Sequence, residues 1–203
     1  MRSPALALAL TLLAAPGHAT PEAIFPGLID VTGVADDDVL NIRAQPNAGA
    51  AIIGTLAPDA AGVEVVETRD NWLRVTMPEA SGWINGRFAT MRTGLWQQDA
   101  VPAGLVCHGT EPFWSLALDG TAAQFSTPES ATRHEGLRIF GPSDWMENPR
   151  RAIRAEGLMA LIAPAPALCS DGMSDALFGL DVDVIVGSGE DARYLRGCCS
   201  LGR

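Results

Sequence analysis

The chain has 203 residues, with 24 acidic side chains against 14 basic ones and a formal net charge of −10. Such a surface repels duplex nucleic acid and anionic bilayers, so neither is expected as a partner. Every basic residue is arginine, which excludes Schiff-base, P-loop and Ser-x-x-Lys chemistry because each needs a lysine ε-amine.

Met1-Arg2 forms a short basic start, and Ala5 to Ala15 is an apolar stretch too short to cross a bilayer as a helix. Pro16-Gly17-His18-Ala19 follows, with small residues at −3 and −1 of a cut after Ala19. Residues 1–19 therefore read as a secretory signal peptide, and the expected location is the periplasm or the exterior. The first cysteine is Cys107, so no lipid-bearing cysteine stands at the cut. No later apolar run is long enough to insert into a membrane. Cleavage would leave His108 and His134 as the remaining histidines, too few for a histidine-rich zinc site, and no metal or other cofactor is expected.

Twenty-one Gly and fourteen Pro divide the remainder into short segments, which favours strands over long helices. Leu28–Val34 is a β-branched run, and Asp36-Asp37-Asp38 is a turn. Val39–Arg43, Ile52–Leu56, Val63–Val66, Trp72–Val75 and Trp83-Ile84 are further strand candidates. Short strands at this spacing predict a small barrel.

Within residues 25–91, Leu40-Asn41-Ile42-Arg43, Pro46, Ile53-Gly54, Leu56, Trp72, Val75 and Gly82-Trp83-Ile84 resemble the motif residues of the bacterial SH3 domain family. Two departures affect turns. Ala60-Ala61 displaces a glycine to Gly62, and Asn71 stands before Trp72 where glycine is usual; Asn tolerates the left-handed conformation. The resemblance implies a non-catalytic module that binds peptidoglycan peptides or an envelope protein. Its candidate binding residues are Arg43, Trp72, Arg74, Trp83 and Arg87, since arginine forks pair with carboxylates. A purely structural role is the competing expectation: Trp72 and Trp83 filling the barrel, and Arg43 fixing a loop.

Residues 92–104 lack periodicity and read as a linker in which Trp96 can pack on either side. From residue 105 to 203 the pattern is again that of strands. Asp119-Gly120 signals a two-residue hairpin pairing Trp114 with Phe125 and Leu116 with Ala123. Leu137–Phe140 is a short strand; Asn148 and Pro149 suit a helix start, but Gly157 would interrupt so short a helix, and Arg150–Ile162 reads better as a hairpin turning at Glu156-Gly157. Leu180–Val186 alternates cleanly, and Tyr194–Leu201 closes the chain. The expected fold class is all-β, an SH3-like barrel followed by a second antiparallel β-barrel-like domain.

Two motifs mark the second half: Cys107-His-Gly-Thr-Glu-Pro-Phe-Trp114 and Cys169-Ser-Asp-Gly-Met-Ser-Asp175. With Gly197-Cys198 they resemble a family of small bacterial envelope proteins to which no activity attaches. Glu111 with Asp171 or Asp175 could act as an acid/base pair, which would make the protein a wall-targeted hydrolase. Turn and capping roles for these carboxylates are the competing expectation, and Ser174 has no base at an informative spacing. Cys107 and His108 are strand neighbours and point to opposite faces. The preferred reading is a non-enzymatic envelope protein, with the second domain a scaffold or an added binding surface; a second alternative is a carrier or inhibitor that takes a small apolar ligand into the second barrel.

Four cysteines in an exported chain predict disulfides. Neighbouring Cys198 and Cys199 project to opposite faces of a strand and cannot bridge each other. Cys107 and Cys169 should therefore each pair with one of them, in an order the residues leave open.

Overall fold

Short β-branched runs between glycine and proline punctuation form strands in both halves of the chain. The computed structural model describes residues 24–143 and 148–202. The expected signal peptide lies outside them. Among the described residues the fold is all-β, and no helix is long and apolar enough to cross a membrane.

The first sheet comprises β1 (Gly27–Val31), β2 (Leu40–Arg43), β3 (Ile52–Leu56), β4 (Val63–Arg69), β5 (Trp72–Thr76), β6 (Ser81–Asn85) and β7 (Ala89–Met91). It is antiparallel in the order β3-β2-β6-β5-β4-β1-β7. Alternation along the strands sends Ile29, Ile42, Val65, Val75 and Ile84 into one core. The turn after β4 takes its left-handed residue at Asp70 (φ 51°) rather than at Asn71. Asn71 instead donates from Nδ2 to Asn85 Oδ1 at 3.1 Å. The displaced Gly62 is the left-handed residue before β4 (φ 67°), and its amide donates to Asp30 Oδ1 at 2.8 Å.

The second sheet comprises β8 (Val106–Thr110), β9 (Phe113–Leu118), β10 (Ala123–Ser126), β11 (Ala131–His134), β12 (Arg138–Phe140), β13 (Arg151–Ala155), β14 (Leu158–Cys169), β15 (Phe178–Val186) and β16 (Arg193–Ser200). Its order is β11-β10-β9-β8-β16-β15-β14-β13-β12. The sheet curls around a core containing Trp114, Leu116, Phe125, Ile153, Ile162 and Val182. The hairpin at Glu156-Gly157 is as expected, with Ala155 opposite Leu158 and Gly157 at φ 69°. Leu180, Val182, Val184 and Val186 all face inward.

Two expectations need correction. The β9–β10 connection has four residues, 119–122, so Leu116 pairs with Phe125 and Leu118 with Ala123. The Asp119 carboxylate widens this turn by accepting from the amides of Thr121 (2.9 Å) and Ala122 (2.8 Å). A shift of two residues keeps every side chain on its expected face. The second correction is that β14 continues past Ile162 to Cys169, its pairing irregular between Pro164 and Cys169. β11 is not among the expected strands: it carries no apolar alternation, and three of its four residues are exposed at the sheet edge.

The connection between the sheets is built into the second core. Trp96 is buried there and donates from Nε1 to the Pro26 carbonyl at 3.2 Å, so it touches both halves. Leu28 of β1 joins the same core. Arg151, 0% exposed, sends its guanidinium under this connection, 5.3 Å from the Trp96 ring. It donates to the carbonyls of Ala100 (2.8 Å) and Arg150 (2.6 Å), and to those of Gln97 and Asn148. Burial pulls its pKa below the ordinary arginine value, and Asp99 opposes that shift.

A second junction joins the domains. Residues 175–177 run beside the β5–β6 turn, with the Asp175 amide donating to Glu79 O at 3.1 Å. Thr76 Oγ1 donates to Leu177 O, and the Leu177 amide donates to Ser81 Oγ, both at 2.8 Å.

Two surface carboxylates set an acid limit on stability. Hydrogen bonds from Arg92 to Asp30 and from Arg133 to Asp119 lead the causes that hold both carboxyls below the ordinary 3.8. A depressed folded-state pKa contributes stability that is complete above the unfolded value and is lost as pH falls through the folded value. The melting temperature is therefore expected to fall modestly below about pH 4. Asp119→Asn should flatten that decline, which thermal denaturation across pH 2 to 6 would read, these bounds being about the carboxylate range.

Candidate functional site

The outer face of the first sheet carries a cross-strand row, Arg43–Trp83–Arg74–Glu67. Ile84 fills the barrel core, so its neighbour Trp83 points outward. Trp83 is nevertheless only 4% exposed. The guanidinia of Arg69 and Arg74 lie over its ring at 5.1 and 5.5 Å. Both arginines also reach Glu67 at 3.2 Å. The barrel-filling role expected for Trp83 is thus replaced by burial beneath arginines on the outer face. Trp72 shares that face with Arg74 and is half-buried.

The other candidates have local partners. Arg43 donates to Ala50 O at 2.8 Å and holds the β2–β3 loop. Arg87 stacks on Phe88 at 4.2 Å. Arg69 belongs to this face and was missed, because its place depends on the β4–β5 register.

In the second domain the two motifs converge. Cys107 faces the core and is bonded to Cys199, its partner in the β8–β16 pairing. Cys198 faces the other side and is bonded to Cys169. The bridges thus use opposite faces of β16, as neighbouring cysteines require. The first ties two adjacent strands, and the second pins the 170–175 loop to the outer face.

That loop reaches β8. Asp171 Oδ2 lies 3.6 Å from His108 Nε2, and Thr110 Oγ1 donates to Asp171 O at 2.8 Å. Asp171 Oδ1 accepts from the Met173 amide at 3.0 Å, and Ser174 Oγ accepts from the Ala176 amide at 3.2 Å. The His108 ring meets Phe178 edge-on at 4.8 Å. An open cleft of about 820 Å³ results, lined by His108, Glu111, Phe113, Asp171, Met173 and Arg196 among others. Phe113 and Met173 are 50% and 63% exposed. The His108–Asp171 contact was not anticipated, although alternation from an inward Cys107 places His108 outward.

Glu111 and Asp171 share this cleft, whereas Asp175 is exposed outside it. Asp171 and Ser174 cap backbone amides, in line with the turn role weighed for the motif. Glu111 is exposed in the β8–β9 turn, and among the described residues no hydrogen bond reaches its carboxylate. Glu111→Gln is therefore expected to leave stability within about 0.5 kcal/mol. Asp171→Asn should lower it by about 1–2 kcal/mol, since the imidazole and an amide lose a charged partner. Parallel urea titrations of both variants would check the difference.

Trp114 is a packing residue. It is buried and stacked on Phe125 at 5.8 Å between centroids. A Cβ on Gly109 would stand 2.2 Å from Trp114 Nε1, and one on Gly197 would stand 2.0 Å from the His108 carbonyl oxygen. Gly109 and Gly197 thus let the Trp114 ring lie flat over the β8–β16 pair. Gly109→Ala is expected to lower stability by about 1–3 kcal/mol through overpacking, read from the melting midpoint.

Among the described residues no three His, Cys, Asp or Glu side chains cluster to hold a metal ion. The family model described as Bacterial SH3 domain matches residues 38–90, from just before β2 into β7. No curated protein and no solved structure matches the chain.

Proposed function

We infer that the protein acts outside the cytoplasm as a two-domain envelope-binding protein. Its SH3-like domain engages a cell-wall peptide or an envelope protein, and the second domain serves as a docked scaffold without catalysis of its own. The observation that carries this reading is the bacterial SH3 match over residues 38–90, on a barrel whose outer face bears the Arg69–Trp83–Arg74 stack. Two disulfides are compatible with an oxidising compartment.

Binding at this face is weak and sensitive to salt, because its guanidinia are already shared with Glu67 and with ring faces. Retention on purified cell-wall sacculi should appear at about 0.05 M salt and vanish near about 0.5 M. Trp72→Ala and Arg74→Ala should each reduce it. Tight retention that is indifferent to salt and to both substitutions would overturn the assignment.

The hydrolase alternative draws on the shared position of Glu111 and Asp171 in one cleft. Release of soluble fragments from sacculi, abolished by Glu111→Gln, would establish it in place of the scaffold. The carrier alternative is disfavoured because core side chains fill the inside of the curled sheet.

A further inference from the structure

A different part of the second domain has the chemistry of a ligand site. The registers of β12 to β16 align one outward row, Arg138–Arg154–Met159–Ile185–Tyr194. Arg138 and Arg154 stand directly opposite each other, an arrangement that destabilises a strand pair when both residues carry the same charge. Among the described residues neither forms an ion pair, and the Phe140 ring lies 5.9 Å from the Arg138 guanidinium. Arg196, on the same face, is treated otherwise: Asp183, its register partner, lies 3.3 Å from its Nε.

The unpaired guanidinia border a groove of about 530 Å³ whose apolar wall includes Phe140, Met159 and Ile185. These three are 47%, 57% and 47% exposed. Glu156, on the β13–β14 turn, is the one acid among the described residues that line it. Strands are spaced about 4.8 Å apart, so Ile185 lies about 10 Å across the sheet from Arg154. Beyond the two forked cation groups, Met159 and Ile185 give the groove thioether and hydrocarbon surface, while Phe140 flanks Arg138 on β12.

We propose that this groove binds a single-chain amphiphilic anion. A carboxylate or phosphate head sits between Arg138 and Arg154, flanked by Phe140, and an apolar chain lies over Met159 and Ile185. Two adjacent guanidinia match the bidentate geometry of either head group. The bound anion also relieves the repulsion between them. A concave site suits a discrete chain, whereas a bilayer would require a protruding apolar surface. The proposal is independent of the first domain.

The test uses the full chain with both disulfides intact. Dodecanoate below its micellar concentration is titrated by calorimetry, and amide NMR shifts locate the site. The expected result is saturable binding with shifts on β12 to β15, weaker by about tenfold or more for a dodecyl chain on an uncharged head. Arg138→Gln/Arg154→Gln should lose binding to a similar extent while melting no lower than the parent, because a like-charge pair has been removed. Ile185→Ser should weaken dodecanoate without creating affinity for acetate. Equal binding of the uncharged analogue would overturn the proposal, as would saturation by acetate or inorganic phosphate alone. Binding confined to anionic vesicles would also overturn it, in favour of a bilayer-docking face.

Discussion

Arg151→Met is expected to destabilise the protein by about 3–5 kcal/mol. The guanidinium is fully buried and donates to four backbone carbonyls, those of Gln97, Ala100, Asn148 and Arg150. Removing it leaves these acceptors facing an apolar side chain, and an unsatisfied buried acceptor costs about 1–3 kcal/mol. The individual costs do not add fully, since residues 97–100 can move toward water. Arg151→Lys should recover only part of the loss, because an ammonium point charge cannot span carbonyls that a planar fork reaches. Denaturant titration would give the magnitude. Hydrogen exchange would give the location: protection should fall first in residues 96–101, which Arg151 ties to the sheet. A loss below about 1 kcal/mol would mean that this segment is held by Trp96 alone.

Removal of the Cys107–Cys199 bridge should have an effect of similar size. The closed loop spans 92 residues, for which the chain-entropy model assigns about 4–5 kcal/mol. The Cys107→Ala/Cys199→Ala pair also leaves a small void among core residues, since both sulfurs are buried. The Cys169–Cys198 bridge closes 29 residues and should be worth about 3–4 kcal/mol. Its loss should have a signature the first lacks. Residues 170–177 carry both the Asp171–His108 contact and the hydrogen bonds to Glu79, Thr76 and Ser81. Cys169→Ala/Cys198→Ala should therefore loosen the second junction between the domains, seen as faster amide exchange at Asp175 and Leu177. Equal protection at those amides in both double variants would show that the loop does not depend on its bridge.

The candidate site was legible where it depended on a residue's nearest neighbours. The inward Cys107 and outward His108 follow from a period of two, as do the opposite faces of Cys198 and Cys199. The capping roles of Asp171 and Ser174 follow from short polar side chains in a turn. The convergence of the two motifs on one cleft does not follow from either motif. It arises because Cys169 is bonded to β16 while β8 pairs with that same strand. Trp83 illustrates the same limit. Its apolar ring suggests core, but alternation with Ile84 sends it outward, and only the β4–β5–β6 register reveals the arginines that cover it.

Local pattern was enough to place most of the strands, the inward face of those with apolar alternation and the tight turn at Glu156-Gly157. These depend on backbone sterics and on a two-residue repeat, which act over a few residues at most. The four-residue turn at 119–122, the burial of Arg151 and the pairing of Arg138 with Arg154 became visible in the folded chain. The first depends on which amides the Asp119 carboxylate reaches once the strands have paired. The second depends on carbonyls supplied by a segment some fifty positions earlier in the chain. The third depends on register across a hairpin with a long connection. For Arg151 the favourable energy arises only after segments some fifty positions apart have been brought together, and no local pattern carries that information.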